Sequence, residues 1–197
     1  MRDDKRQMRH DAITQAAYAL LAEKGYDGTS MLSIAKAAKA SNETLYRWYG
    51  DKRGLFEAMV RDNAAEVKTM LEAEMSSGGS PIDALRTIAP VLLSMLLGER
   101  AILLNRAAAS DPSGELGAAI AKGERDAVQP LIAAVIEDIE TEVKPQGMSK
   151  ADLFLGLLIG DAQIRRVLGV MPALPEDQIQ ARSNAAIAAF LKVLSVG

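Results

Sequence analysis

The sequence predicts an all-α protein of about nine helices. Apolar residues recur at three- and four-residue spacing along almost the whole chain. No stretch alternates with period two, no Asn-Gly hairpin turn occurs, and no internal repeat is visible. Alanine and leucine abound while aromatic residues make up 4%, which suits helix-on-helix packing. A length of 197 residues allows one or two compact units, and a 49% hydrophobic share is enough for a core.

The elements follow in order. Ile13, Ala16, Ala17, Leu20 and Leu21 give the first helix its apolar face, and Gly25 stops it. Thr29 and Ser30 can each cap the short segment MLSIAKAA, and Ser41 can cap NETLYRWY. Gly50-Asp51 breaks the chain, with Asp51 placed to cap a long helix from Lys52 to about residue 74. Ser-Ser-Gly-Gly-Ser at 76–80 reads as a loop, and Pro81 suits the first turn of a helix that ends at Gly98, with a kink expected at Pro90. A helix near 100–109 stops at Ser110-Asp111-Pro112-Ser113-Gly114. A long segment from about 115 to 142 contains Pro130, a helix capped by Ser149 runs to about 168, and residues 176–196 close the chain.

Composition removes whole classes of chemistry. Cysteine is absent and histidine occurs once, at His10, so thiol nucleophiles, disulfides and Cys/His zinc sites are excluded. A di-iron helical bundle needs Glu-x-x-His on two helices, which one histidine cannot supply. No metal, cofactor or enzymatic activity is expected. The longest uncharged stretch, Thr87 to Gly98, is too short to span a bilayer, and the charged N-terminus leads into no apolar signal core, so a cytoplasmic protein with no membrane partner is expected. The net charge of −3 is uneven: residues 1–61 carry a surplus of three cations and residues 62–197 a surplus of six anions.

The stretch TSMLSIAKAAKASNETLYRWYGDKRGL, residues 29–55, carries the functional signal. Two short helices joined by a tight turn cannot bury enough apolar surface alone, so they must lean on Ile13–Leu21 and Leu55–Met59. That is a helix-turn-helix, whose second helix is free to enter the DNA major groove. Ser41, Asn42, Glu43, Thr44 and Arg47 lie along that helix within reach of base edges or phosphates, and Tyr46 offers a phenolic donor. Lys52, in the first turn of the next helix, is placed to hold a phosphate together with Tyr46 and the free backbone N–H groups, with Arg53 beside it. Thr29 and Ser30 join the candidate DNA contacts. Trp48 suits either stacking on the nucleic acid or packing on neighbouring helices. His10 reads as a solvated or phosphate-facing side chain. Arg2, Lys5, Arg6 and Arg9 form a basic arm, read either as an extension adding phosphate contacts or as a solvated terminus.

The segment resembles the DNA-binding domain of the TetR (tetracycline-repressor-like) family of bacterial regulators. The matching residues are Ala16 and Leu20 before Gly25-Tyr26, then Thr29-Ser30, Ile34-Ala35, Ala38, Ser41, Thr44-Leu45-Tyr46, Tyr49 and Lys52 to Leu55. Two departures stand out. Lys39 takes the place of the family's usual turn glycine, and Arg47-Trp48 replaces its commoner aromatic or histidine pairs. The resemblance implies a DNA-binding domain over residues 1–51 and a helical effector-binding and dimerisation domain over 52–197. It further implies a homodimer on a palindromic double-stranded operator, released by a small-molecule effector. An effector-independent DNA-binding or scaffold protein is the alternative, with a helical enzyme behind it.

Candidates for the effector pocket are Met59, Met70, Leu92, Met95, Leu96, Leu103, Leu104, Arg106, Ile120 and Glu124. Most are apolar, and Arg106 and Glu124 are charges in otherwise apolar surroundings. Gly156 and Gly160 sit one helical turn apart in an uncharged run, and the last helix has a second small-residue face. Gly156, Gly160, Ile164, Ala186 and Phe190 are therefore the expected dimer contacts, arranged about a two-fold axis. Packing within one chain is the other reading of the glycine pair.

Overall fold

The computed structural model describes residues 2–75, 80–137, 139, 141 and 147–195, without the side chains of 2, 3, 66, 70, 71, 74, 75 and 124–127. Eleven helices and no strand lie among them: α1 (Arg2–Lys24), α2 (Met31–Ala37), α3 (Asn42–Tyr49), α4 (Lys52–Met75), α5 (Pro81–Leu97), α6 (Glu99–Ala109), α7 (Glu115–Ala127), α8 (Gln129–Glu137), α9 (Lys150–Ile159), α10 (Ala162–Val167) and α11 (Glu176–Ser195).

The count exceeds nine because two expected helices are each broken once. The segment after residue 115 stops at Val128 and restarts as α8 with Pro130 in its first turn, where a missing N–H costs least. The segment after Ser149 breaks at Gly160, which holds φ +50° and ψ −130°. There the Arg182 guanidinium donates to the carbonyls of Leu158 (2.8 Å) and Ile159 (2.6 Å), satisfying the end of α9. By contrast α5 continues through Pro90 as one helix. Ser80 caps α5, its Oγ accepting the Asp83 N–H at 3.2 Å, whereas residues 76–79 of the expected loop lie outside the described residues. Asp138, Glu140 and Glu142 also lie outside them. The basic N-terminus continues α1 as helix from Arg2 onward and is not a separate arm.

Packing divides the chain into two units: one of Met1–Asp62 with Leu103–Lys122, the other of Asn63–Ile102 with Gly123–Gly197. The division differs from a partition at residue 51 because α2 and α3 are only seven and eight residues long. The core of the first unit therefore draws Leu55, Phe56, Met59 and Val60 from α4, and Leu104, Ala107 and Leu116 from α6 and α7, around Ile13, Ile34 and Leu45. Burying each large apolar side chain contributes about 1.5–3 kcal/mol.

In the second unit α5, α8, α9 and α11 pack on one another. Leu85, Leu92, Leu93, Ile136, Phe154, Leu158, Ile187 and Phe190 fill its centre, with the Phe154 and Phe190 rings edge-to-face at 5.4 Å. Arg166 is buried at 6% exposure. It donates from Nε to the Leu97 carbonyl (3.2 Å) and from Nη2 to Glu99 (3.0 Å), which serves the break between α5 and α6.

Candidate nucleic-acid interface

The site begins with the ends of α2 and α3. Ser30 caps α2: its Oγ accepts the Ser33 N–H, and Ser33 Oγ accepts the Ser30 N–H in return. At the other end the Ala40 N–H bonds the Ala35 carbonyl (2.9 Å) and the Lys39 N–H bonds the Lys36 carbonyl (3.3 Å), with Lys39 at φ +50°. This closing motif normally takes glycine at the left-handed position, so Lys39 occupies it at a cost of about 1–2 kcal/mol. From α1, Arg9 Nη1 donates to the Lys39 carbonyl at 3.3 Å and ties down the turn. Ser41 Oγ then accepts the Thr44 N–H at 3.1 Å and starts α3.

Around α3 the residues sort by face. Leu45 is fully buried, while Asn42, Glu43, Tyr46 and Arg47 are exposed and Thr44 is half-buried. Arg47 approaches Glu43 at 4.0 Å, one turn away. The outer side of the second helix is thus open along its length, with donors and acceptors of the kind that read base edges. Ser30 and Ser41 are exposed beside it.

Thr29 and His10 are corrected, and Lys52 has a second role. Thr29 is 3% exposed and its Oγ1 donates to the Gly25 carbonyl at 2.8 Å, so it shapes the loop after α1 and cannot reach a phosphate. Lys52 is half-buried: Nζ donates to the Tyr26 carbonyl at 2.9 Å and lies 4.0 Å from the Tyr26 ring centre, which leaves two of its three N–H bonds for a phosphate. Its first task is to hold the loop before α2 against α4. His10 is half-buried and held by two side chains: Nδ1 meets Tyr49 Oη at 2.9 Å and Nε2 meets Asp62 Oδ2 at 2.7 Å. Arg53, also expected near a phosphate, pairs with Glu57 (3.1 Å) and Glu115 (2.9 Å). Trp48 packs within the unit, tilted edge-on to Tyr49 at 6.3 Å.

Gly54 is a functional position that spacing did not single out. Any Cβ there would overlap the Tyr49 carbonyl oxygen, so α4 passes the end of α3 at backbone contact. Asp51 Oδ1 accepts the Gly54 N–H at 2.8 Å and fixes the junction. A glycine in the first turn of a helix, where it weakens the helix for no local gain, is the available signal.

The expected pocket residues fall in different units. Met59 is core of the first unit, Ile120 packs on that core, Leu103 and Leu104 are buried and Arg106 is exposed. Leu92 and Leu96 are core of the second unit and Met95 packs on it, while the side chains of Met70 and Glu124 lie outside the described residues. Among the expected dimer contacts, Ala186 (5% exposed) and Phe190 (0%) are internal core and cannot touch a partner. Gly156 and Gly160 are exposed and Ile164 is 54% exposed. Gly160 breaks its helix, so the two glycines do not form one straight small-residue ridge. Among the described residues no three His, Asp or Glu form a metal-holding group, and no single helix is long and apolar enough to cross a membrane.

Comparison with known proteins agrees with this geometry. Residues 13–59 match the family model described as bacterial regulatory proteins, tetR family. Over 75 residues the chain is 31% identical to the biofilm operon icaADBC HTH-type negative transcriptional regulator IcaR of Staphylococcus aureus, covering 38% of this chain and 40% of that protein. The chain spans 22% to 40% of the length of the curated relatives it matches. Solved structures extend the likeness over the whole fold. A putative TetR-family regulator from Mesorhizobium loti superposes with a TM-score of 0.76 at 25% identity, over 96% of this chain and 98% of that one. The flavonoid-responsive regulator FrrA does so with a TM-score of 0.67 at 27% identity, over 96% and 98%. Buried Leu45 behind an open polar face on α3, together with these matches, makes residues 13–59 similar to the bacterial regulatory proteins of the tetR family, within a fold that solved TetR-family regulators share.

Proposed function

We propose that the chain is a cytoplasmic, ligand-responsive repressor that binds a palindromic operator as a homodimer and leaves it when a small-molecule effector binds. Residues 1–51 read DNA, and residues 52–197 provide effector binding and dimerisation. The open outer face of α3, with Glu43, Tyr46 and Arg47 all exposed, carries the reading. Half-sites for such a dimer lie about one helical turn of DNA apart or a multiple of it. Repression accords with the negative regulator IcaR, and ligand response with the flavonoid-responsive FrrA.

Selection of bound genomic fragments followed by footprinting tests the reading. The expected result is a protected two-fold-symmetric site whose affinity falls steeply with salt. Arg47→Ala should relax base preference at one position per half-site by about 1–3 kcal/mol, while Lys52→Ala should weaken all sequences alike. Binding that ignores sequence, or an Arg47→Ala protein with unchanged preference, overturns it.

Gly156→Leu tests the dimer. A Cβ at Gly156 meets nothing within 4 Å in its own chain, so the fold tolerates the change while a partner helix at that face would not. Monomers in sedimentation are expected, and an unaffected dimer removes this face from the interface.

A further inference from the structure

We propose that a cavity within the first unit, walled by α1, α3 and α4, is a binding site for a small aromatic carboxylate. It is a different place from the effector-pocket residues considered above, and the inference does not depend on them.

The cavity has a volume of about 460 Å³ and opens to solvent beside Arg6, His10, Trp48, Tyr49, Arg61 and Asp62. That volume is within the range of sites for small organic molecules, about 300–1,000 Å³. On one side the polar groups are already ordered. A carboxylate accepts and never donates, so the 2.7 Å contact of Asp62 takes the proton on His10 Nε2, while Nδ1 and the Tyr49 hydroxyl share a hydrogen bond of 2.9 Å. Burial, followed by the nearby Asp62 carboxylate, pushes the Tyr49 phenol up to about 12, so it adds no negative charge to the cavity.

Two guanidiniums, Arg6 and Arg61, line the cavity beside the Asp62 carboxylate. Two cations that line one opening suit an anionic ligand. The aromatic walls define the rest of the ligand. Arg6 stands over the Trp48 ring at 5.5 Å, and Trp48 is edge-on to Tyr49. A guanidinium that stacks through its face keeps its N–H donors in the plane, directed outward, where they can fork a carboxylate. The acid group would take the arginine donors while a flat ring lies against the aromatic wall. The DNA-reading residues of α3 point elsewhere, since Trp48 and Tyr49 are half-buried against the unit while Glu43 and Arg47 face solvent.

Trp48 is the chain's one tryptophan, so its emission reports on the cavity without labelling. Titration of the full-length protein with benzoate and with phenylacetate should change that emission saturably. Calorimetry on the same samples registers any binding that leaves the emission unaltered. Benzamide, which lacks the charge, and acetate, which lacks the ring, should each bind at least about tenfold more weakly, a difference of about 1.4 kcal/mol. Arg61→Gln should lose a similar factor while keeping the parent's melting temperature and free emission spectrum. The proposal is overturned by absence of saturable binding of both acids at millimolar concentration, by equal binding of benzamide, or by an Arg61→Gln protein that binds as the parent does. It is also overturned if the acids are silent while duplex DNA shifts Trp48 emission in an Arg61-dependent way, because the cavity would then seat a backbone phosphate.

Discussion

The two units are stabilised by different kinds of residue. In the first, polar side chains meet across long sequence separations: Arg9 on the Lys39 carbonyl, Lys52 on the Tyr26 carbonyl, and His10 between the Tyr49 and Asp62 side chains. In the second, a broad apolar core does most of the holding, and guanidiniums of Arg166 and Arg182 close the places where helices break. A surface that must present one helix at one angle is specified residue by residue. A core that need only bury area and keep its volume can be met by many sequences. The family model accordingly reaches residues 13–59 and no further.

The contrast can be tested most severely in the second unit. Phe190→Ala removes a fully buried ring packed on Phe154 and should lower stability by about 3–5 kcal/mol, read by thermal melting. If Phe190→Leu, which keeps much of the volume, costs as much as alanine, the second unit is as particular about its residues as the first.

Gly54→Ala comes next. The added methyl meets a backbone oxygen that cannot rotate away, so a loss of about 2 kcal/mol and weaker DNA binding are expected together. Stability unchanged in denaturant titration would mean that the α3–α4 junction yields more easily than a specified geometry should. A gain is expected from Lys39→Gly, which relieves the left-handed strain and should raise stability by about 0.5–1 kcal/mol, since glycine's looser unfolded state offsets part of the relief. DNA affinity should hardly move if the Arg9 contact alone sets the turn.

The smallest effect is one of pH. The Tyr49 phenol is raised to about 12 in the folded protein, chiefly by burial, against an ordinary value of 10.0. Above pH 10.0 the unfolded chain loses this proton while the folded one keeps it, so stability should fall from there until about 12 and be unaffected below. Tyr49→Phe should flatten that part of the melting-temperature profile. An identical alkaline slope in both proteins would show that the phenol is not sheltered.

These differences also explain what the sequence made legible. The caps at Ser30, Ser41, Asp51, Ser80 and Ser149 were readable because the capping bond is local, three residues long. The buried face of α3 was readable because its partners are apolar residues at helical spacing. His10 was misread because its partners lie 39 and 52 residues away, and nothing in local spacing brings them together. Thr29 was misread because a threonine before a helix looks the same whether its hydroxyl faces solvent or the Gly25 carbonyl. Ala186 and Phe190 share a face that is apolar for the chain's own core, a face that pattern alone does not distinguish from one turned toward a second copy.

The tie from Arg9 to the Lys39 carbonyl has a practical consequence for engineering. Residues 31–50 are not a portable cassette, because the strained turn inside them is braced by α1, which lies upstream of the exchanged stretch. A chimera that imports another regulator's operator preference by swapping that stretch must carry a matching brace. Transplanting this stretch elsewhere without Arg9 leaves a lysine turn with nothing to hold it.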